Sequence, residues 1–312
     1  MILINRILLP IDFSFCSDQL LDHALHLARK YKADLIVYHA IVLYEDDPHN
    51  PAHIFPDIQA ISDKLHRTAR IKMEAAADSH RGLGIRIETI QERGFSASEM
   101  ILRFVEDHDV DLIVMGTRGR RFPGPLLLGS VAEKVVRHAT VPVLTIRGQK
   151  NPGTVDTIEH ILVPVDFSDH SRNALAHARD VAATFGARLQ LLHVVEDVVH
   201  PIFYTATGKT SLFDLRPNLK SRSEEELERL FEDTPGPDVD HEVHCVDGHA
   251  AGEIVRFASE QNTNLIIMAT HGLSELSQVL IGSVTQRVVR RAPCPVFTVN
   301  SSGRSLGHSL VG

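Results

Sequence analysis

The feature that most constrains this chain is that it repeats itself once, over nearly its whole length. The segment RILLPIDFS at 6–14 returns as HILVPVDFS at 160–168, an offset of 154 residues. The segment DLIVMGTRG at 111–119 returns as NLIIMATHG at 264–272, an offset of 153 residues. This period is far longer than the roughly 20 to 50 residues of solenoid repeats. The sequence therefore predicts two complete domains of the same fold.

The predicted domain boundaries follow from composition. The chain has 312 residues, and a typical domain has roughly 100 to 200. We expect the first domain at 1–147 and the second at 158–300. The linker at 148–157 contains Gly, Pro and Asn, and the stretch 301–312 is rich in Gly and Ser. Such segments favour loops, and we expect the latter to be a flexible tail.

The pattern inside the first half predicts an α/β fold. Short runs rich in Val, Ile and Leu alternate with segments of helical periodicity, and the strands are apolar at successive positions, which is typical of a parallel sheet covered by helices. We therefore expect two doubly wound domains of five strands each, with ligands at the carboxyl ends of the strands. The predicted strands are 6–11, 34–41, 85–90, 111–115 and 141–146, and the predicted helices are 17–32, 58–81, 97–108 and 131–138.

Composition excludes several classes of protein. The balance of 32 Lys+Arg against 40 Asp+Glu gives a net charge of −8, which disfavours a protein that must neutralise many nucleic-acid phosphates. No apolar run reaches the roughly 18 to 20 residues that cross a bilayer. The three cysteines are scattered and form no C-x-x-C pair, which argues against a disulfide framework. We expect a cytoplasmic protein with no nucleic-acid or membrane partner.

The loop after the fourth predicted strand has a pattern suited to phosphate binding. Gly116 and Gly119 follow the strand, and Gly129-Ser130 precedes the next helix. Glycine permits positive φ and close backbone approach to an anion, and a helix N-terminus offers N–H donors. Plain turn geometry also explains such glycines, so the loop alone leaves both interpretations open. A P-loop is excluded because its lysine is missing, and no G-x-G-x-x-G follows the first strand of either half.

Together these motifs resemble the universal stress protein family in its nucleotide-binding branch. The resemblance covers both halves and rests on G-x2-G-x9-G-S at 116–130, on PxDFS in each half, on His39 and His193, and on GSVAEKVVRHATVPVL. It implies a Rossmann-like fold, similar to adenine nucleotide alpha hydrolases, that binds ATP, with Mg²⁺ or Mn²⁺ carried on the triphosphate. It also implies a pseudo-dimer of the two halves through the final strands VPVLTI and CPVFTV, and it allows a homodimer of chains.

The resemblance further implies which residues contact the nucleotide. In the first half the base lies near Pro10, Asp12 and Ala40, while the ribose and phosphates lie on Met115, Gly116, Gly119, Gly129, Ser130 and Val131. The matching residues of the second half are Pro164, Asp166, Val194, Met268, Ala269, Gly272, Gly282, Ser283 and Val284. Asp12, with Ser14, also fits a helix cap.

The second half departs from the pattern at three positions. Ala269 replaces the first glycine, and His271 and Glu275 stand where the first half has Arg118 and Phe122. If the glycine position needs positive φ, alanine costs roughly 1 to 2 kcal/mol there; if it only closes a strand, alanine costs little. Losing a fixed cation and gaining a carboxylate weakens attraction for an anion. We predict tighter ATP binding in the first half.

The motifs fix no catalytic residue, because no base or phosphate-stabilising cation has a defined place. The histidines at 49, 53 and 66 form no zinc motif and are expected on the surface, whereas His39 and His193 are expected as hydrogen-bonded core residues. We predict an ATP-binding module that reports stress or energy status, with little or no hydrolysis and no protein-held metal. A slow ATPase or nucleotide-transferring enzyme and a nucleotide-free scaffold stay open as alternatives.

Overall fold

The computed structural model describes residues 3–14, 17–42, 63, 66–71, 73–74, 84–117, 128–148, 157–196, 213, 216, 218–272 and 281–300. Several sequence-based predictions fall outside these ranges. Gly119, most of the predicted linker, the stretch 301–312 and most of the predicted helix at 58–81 are among them.

The described residues of each half contain five strands that alternate with helices, so the predicted fold class is confirmed. The first half comprises β1 Arg6–Pro10, α1 Ser17–Tyr31, β2 Asp34–Val42, β3 Ile87–Gly94, α2 Ala97–Asp107, β4 Leu112–Gly116, α3 Ser130–His138 and β5 Val143–Ile146. The second comprises β6 His160–Val165, α4 Asp169–Phe185, β7 Arg188–Val195, α5 Asn218–Asp233, β8 His241–Asp247, α6 Ala250–Glu260, β9 Leu265–Ala269, α7 Ser283–Arg291 and β10 Val296–Val299.

The strands form one ten-stranded sheet in the order β3-β2-β1-β4-β5-β10-β9-β6-β7-β8. Neighbours within a half are parallel, whereas β5 and β10 are antiparallel, with Phe297 opposite Leu144. Two threonines reinforce this seam: the Thr145 hydroxyl donates to the Val296 carbonyl and the Thr298 hydroxyl to the Val143 carbonyl, each at 3.1 Å. The two halves therefore associate through their final strands, as the resemblance implied.

Apolar stripes place the helices on both faces of the sheet. Helices α1, α4 and α5 share one hydrophobic core, and α2, α3, α6 and α7 share the other. In α1 the buried residues Leu21, Ala24, Leu25 and Ala28 follow helical spacing, so one side of the helix faces the sheet. The central strands are buried on both faces, which explains their uninterrupted apolar runs.

This layering creates a switch point in each half. Strands β1 and β4 are neighbours, with Ile7 opposite Leu112. The helix after β1 packs on one face and the helix after β4 on the other. Strands β6 and β9 repeat the arrangement. Because the connections that follow two such strands lead to opposite faces of the sheet, a crevice is left between them at the carboxyl ends of the strands.

The predicted bounds of the third strand are wrong. We expected 85–90, whereas β3 spans Ile87–Gly94 and pairs with β2 along its length, up to Val42 opposite Gly94. It lies at the edge of the sheet, and its residues are half-buried or exposed. Because one side of an edge strand faces solvent, its polar sequence gives a weak strand signal. Within the described ranges, no helix is long and apolar enough to cross a bilayer.

Candidate functional site

The structure places the predicted site residues of the described ranges at the carboxyl edge of the sheet. Pro10 ends β1 and Gly116 ends β4, so the turn after β1 lies beside the loop after β4. Ala40 lies near the end of β2. The second half repeats this with Asp166 after β6, Val194 in β7, and Met268 and Ala269 at the end of β9.

The first turn of α3 supplies backbone donors at this edge. Its first intrahelical bond runs from the Glu133 N–H to the Gly129 carbonyl, at 2.9 Å. The N–H groups of Ser130, Val131 and Ala132 precede that bond, and the N-cap residue contributes no side-chain cap. Helix α7 begins in the same way, with Gln286 donating to Gly282 at 2.9 Å. Such a helix start, with its positive dipole end, suits an anionic ligand.

The glycines that precede these helices do not use the conformational freedom that glycine permits. Gly129 and Gly282 have φ of −65° and −55°, which is negative in both. Their own N–H groups donate to the Thr117 and Thr270 carbonyls, at 2.8 and 2.9 Å. These bonds close the loop against its strand. The donors that face the crevice are therefore the helix amides after each glycine.

The turn after the first strand is built in the same way in both halves. The Asp12 carboxylate accepts the Ser14 N–H at 2.9 Å. The Asp166 carboxylate accepts both the N–H of Ser168, at 3.1 Å, and its hydroxyl, at 2.6 Å. The Ser168 hydroxyl in turn accepts the Ser171 N–H and caps α4. These carboxylates therefore fix the turn that precedes the helix, and in the second half the helix cap itself is Ser168 rather than Asp166.

Sequence reasoning missed an unusual backbone conformation in this turn. Phe13 and Phe167 have φ of 57° and 63°, in the left-handed region that bulky residues rarely adopt. Each ring packs against a histidine, His39 at 4.7 Å and His193 at 4.6 Å between ring centroids. Strained backbone of this kind is enriched at ligand sites. The one available signal was that Phe and His recur at identical spacing in both halves.

The two strand-end histidines are hydrogen-bonded parts of the scaffold. His39 Nδ1 lies 2.7 Å from the Ile11 carbonyl oxygen, and His193 Nδ1 lies 2.8 Å from that of Val165. Each carbonyl is an acceptor only, so Nδ1 carries the proton in both rings. The expectation that they are hydrogen-bonded is confirmed, but both are half-buried rather than core residues. Each histidine ties the second strand of its half to the turn after the first.

Gly272 brings the two loops of the second site into contact. A Cβ placed on Gly272 would collide with Oδ2 of Asp166, so the backbone after β9 packs directly on the carboxylate after β6. Ala269 ends β9 opposite Val299, just as Gly116 ends β4 opposite Ile146. Extended strand backbone accepts alanine, so the penalty considered for Ala269 does not arise.

The described cysteines offer no nucleophile. Burial raises the pKa of Cys294 to about 12 and also raises the pKa of Cys245, so both are thiols at neutral pH, and it is the thiolate that attacks. Within the described ranges, no three His, Cys, Asp or Glu side chains cluster closely enough to hold a metal ion.

An open parallel sheet with a helix N-terminus beside its switch point defines the class of ligand-binding doubly wound α/β proteins. Comparison with known proteins narrows this class. The sequence profile of the universal stress protein family matches residues 4–147 and again residues 157–300. The chain therefore belongs to the universal stress protein family, in a form with two family domains.

Three relatives illustrate the extent of the similarity. A universal stress protein of Mycolicibacterium smegmatis is 25% identical over 306 residues, 94% of this chain and 96% of that protein. One from Methanocaldococcus jannaschii is 34% identical over 139 residues, 45% of this chain and 80% of that protein. The crystal structure of a universal stress protein from Archaeoglobus fulgidus superposes with a TM-score of 0.70 at 26% identity, covering 96% of this chain and 99% of that one.

Proposed function

We propose that each half of this protein binds one adenine nucleotide, with ATP as the ligand, and that occupancy rather than turnover carries the stress or energy signal. In the first half, the phosphates would accept the N–H groups of Ser130, Val131 and Ala132. The base and ribose would lie toward Pro10, Asp12 and Ala40. The second half would use Ser283, Val284 and Thr285 in the same way, with the base toward Pro164 and Val194.

The observation that carries this proposal is the pair of open helix starts at the two switch points. Neither helix has a capping side chain from its N-cap residue, and the first turn of α7 contains no acidic residue. In the first turn of α3 the only acid is Glu133, which pairs with Arg137 at 2.9 Å. An anion at either start would therefore meet backbone N–H groups rather than a competing carboxylate.

We favour binding over hydrolysis because Asp12, whose carboxylate accepts the Ser14 N–H in its turn, would lie toward the base and ribose. A water-activating base must instead reach the water that attacks the phosphate. We expect Asp12→Asn and the wild-type protein to release phosphate at the same background rate. Sustained release that disappears in Asp12→Asn would favour the alternative, a slow ATPase.

Matched glycine variants test the binding proposal. Gly129→Asp and Gly282→Asp each place a carboxylate at a helix N-cap, where the observed φ suits aspartate and the residue stabilises the helix. Gly252→Asp is the control, since it adds the same charge to the start of α6, where a Cβ meets only the His249 Cβ, at an ordinary contact distance of 4.0 Å. By calorimetric titration with ATP, each site variant should lose one of two sites and the double variant both.

The control should retain two sites, and thermal unfolding should show that all variants are folded. A double variant that still binds two ATP molecules would contradict the proposal. Pairing of two chains is a separate prediction, to be tested by measuring the molecular mass in solution.

A further inference from the structure

The second switch point carries two imidazoles that the first half does not repeat. His170 aligns with Cys16, and His271 aligns with Arg118. His170 lies in the first turn of α4, and His271 lies between β9 and Gly272. The two sites thus share their backbone design but differ in the side chains that stand around it.

The structure places both imidazoles at the mouth of the second crevice. Their ring centroids are 6.2 Å apart, and both residues are half-buried. His271 Nδ1 lies 2.8 Å from the Thr270 hydroxyl, which helps to orient its ring. The next residue, Gly272, packs on the Asp166 carboxylate. Two loops from neighbouring strands therefore bring two imidazoles and one carboxylate to the same opening.

Among the described residues, few other charges surround this opening. The turn after β6 contributes Asp166, and the first turn of α4 contributes Asp169 and Arg172. Strand β7 contributes His193, whose Nδ1 is held by the Val165 carbonyl. In the described parts of β9, β10 and the first turn of α7 there is no charged residue. The described groups that can carry positive charge here are thus Arg172, which is always charged, and the imidazoles, of which His170 and His271 have no histidine counterpart in the first half.

Imidazole is the side chain whose charge ordinarily changes between pH 5 and 8. Once protonated, both of its nitrogens are donors, and bonds from a charged donor to phosphate are about twice as strong as neutral ones. An arginine in the same position stays charged throughout this range. The second half therefore has, at the position of Arg118, a side chain that is positively charged only when its imidazole is protonated.

We propose that His170 and His271 recognise the phosphates of the second nucleotide as imidazolium groups, so that this site alone tightens as the solution becomes acidic. This inference rests on the proposed function. The ligand is an adenine nucleotide with a terminal phosphate dianion. The first site, with no histidine at the aligned positions, binds the same ligand without this proton dependence.

The experiment measures ATP affinity at each site separately between pH 5.5 and 8. Gly129→Asp isolates the second site and Gly282→Asp the first. The phosphates of ATP also titrate, near pH 6, but they do so equally for both sites, so the ratio of the two affinities cancels that effect. His170→Gln and His271→Gln are then added to the protein that has only the second site. His249→Gln, an exposed histidine at the start of α6, serves as the control.

We expect the second site to gain about tenfold in affinity relative to the first on going from pH 8 to 5.5. Each glutamine variant should remove much of this gain, and His249→Gln should preserve it. An affinity ratio that is constant with pH, or a gain that survives both glutamine variants, would overturn the inference while leaving nucleotide binding intact. Absence of binding at every pH in both isolating variants and in the wild-type protein would instead overturn the proposed function and, with it, this inference.

Discussion

The two halves of the molecule keep the same backbone at their switch points but differ in the side chains that surround it. In both halves an aspartate fixes the turn, a phenylalanine adopts positive φ against a histidine, and a helix begins without a side-chain cap from its N-cap residue. Ala269, His170 and His271, by contrast, have no identical counterpart in the first half. Divergence after duplication has therefore spared the backbone donors and altered the residues that can set affinity.

The two halves also differ in what holds their outer helices in place. In the second half, buried Arg179 anchors the end of α5: its Nη1 donates to the Phe231 carbonyl and its Nε to the Pro237 carbonyl, each at 2.8 Å. The guanidinium carbon also lies 4.2 Å from the centroid of the Phe231 ring. The aligned residue in the first half is Leu25, in the apolar core. The second half thus uses one buried cation where the first uses hydrophobic packing.

The largest expected effect comes from removing that cation. Arg179→Met should lower the free energy of unfolding by about 3 kcal/mol, because it leaves several carbonyls at the end of α5 without their charged donor. Chemical denaturation measures the loss. Arg222→Met, at an exposed position of α5, should change stability by less than about 0.5 kcal/mol. Equal effects of the two variants would show that Arg179 does not anchor the helix.

The second prediction concerns alkaline stability, to which two buried tyrosines of the first half should contribute. Burial raises the pKa of Tyr38 and of Tyr31, and Tyr38 also donates to Glu92 at 2.9 Å. Above pH 10 the unfolded chain ionises these phenols before the folded one does, so stability falls as pH rises, by up to about 1.4 kcal/mol per pH unit for each tyrosine.

Phenylalanine and leucine, Phe185 and Leu192, occupy the aligned positions of the second half. The double variant Tyr31→Phe/Tyr38→Phe should therefore lose part of the stability difference between pH 9 and 11, as measured by chemical denaturation, while the raised pKa of the buried Cys294 thiol leaves a remainder in the second half. If the free energy of unfolding of this double variant falls with pH as steeply as that of the wild type, the two tyrosines do not contribute to the alkaline sensitivity.

A smaller effect is expected where the second site is tightly packed. Gly272→Ala places a Cβ against the Asp166 carboxylate, and overpacking of this kind typically costs 1 to 3 kcal/mol. The second site should bind ATP about tenfold more weakly, with no change at the first site. The control is Gly252→Ala, whose new methyl group makes only an ordinary contact, 4.0 Å from the His249 Cβ. If Gly272→Ala binds as tightly as the wild type, Asp166 need not hold its observed position.

The smallest effect is expected at Ala269, the residue that replaces the first glycine of the loop pattern in the second half. Because Ala269 and Gly116 both end extended strands, Ala269→Gly should change affinity at the second site by less than about twofold, equivalent to roughly 0.4 kcal/mol. The reverse variant, Gly116→Ala, should be equally mild at the first site. Calorimetric titration checks both. A tenfold gain in Ala269→Gly would show that this alanine does hinder the ligand.

The sequence alone predicted the duplication, the fold class and the gathering of the candidate site residues of the described ranges at the carboxyl edge of the sheet. These follow from patterns that many residues share: the repeat fixes two domains, and apolar strands between helices indicate a parallel sheet. Local backbone geometry was less accessible. Positive φ is found at Phe13 and Phe167, where local propensity disfavours it, and each ring packs on a histidine that is distant in the sequence.

Other features depended on contacts between residues far apart in the sequence. The closeness of His170 and His271, and the packing of Gly272 on Asp166, arise only when β6 and β9 become neighbours. The bounds of β3 were set by pairing with β2 rather than by its own polar sequence. Gly119 and Arg118 lie outside the described residues, so their predicted part in the first site stays a prediction.

The most direct test of the account is the number of nucleotides that one chain holds. Native mass spectrometry of the intact protein, titrated with ATP, should show up to two ATP molecules per chain. One should be lost in Gly129→Asp, the other in Gly282→Asp, and neither in Gly252→Asp. If the wild-type protein retains no ATP at saturating concentration, or if both site variants still hold two molecules, the helix starts at the switch points are not nucleotide sites.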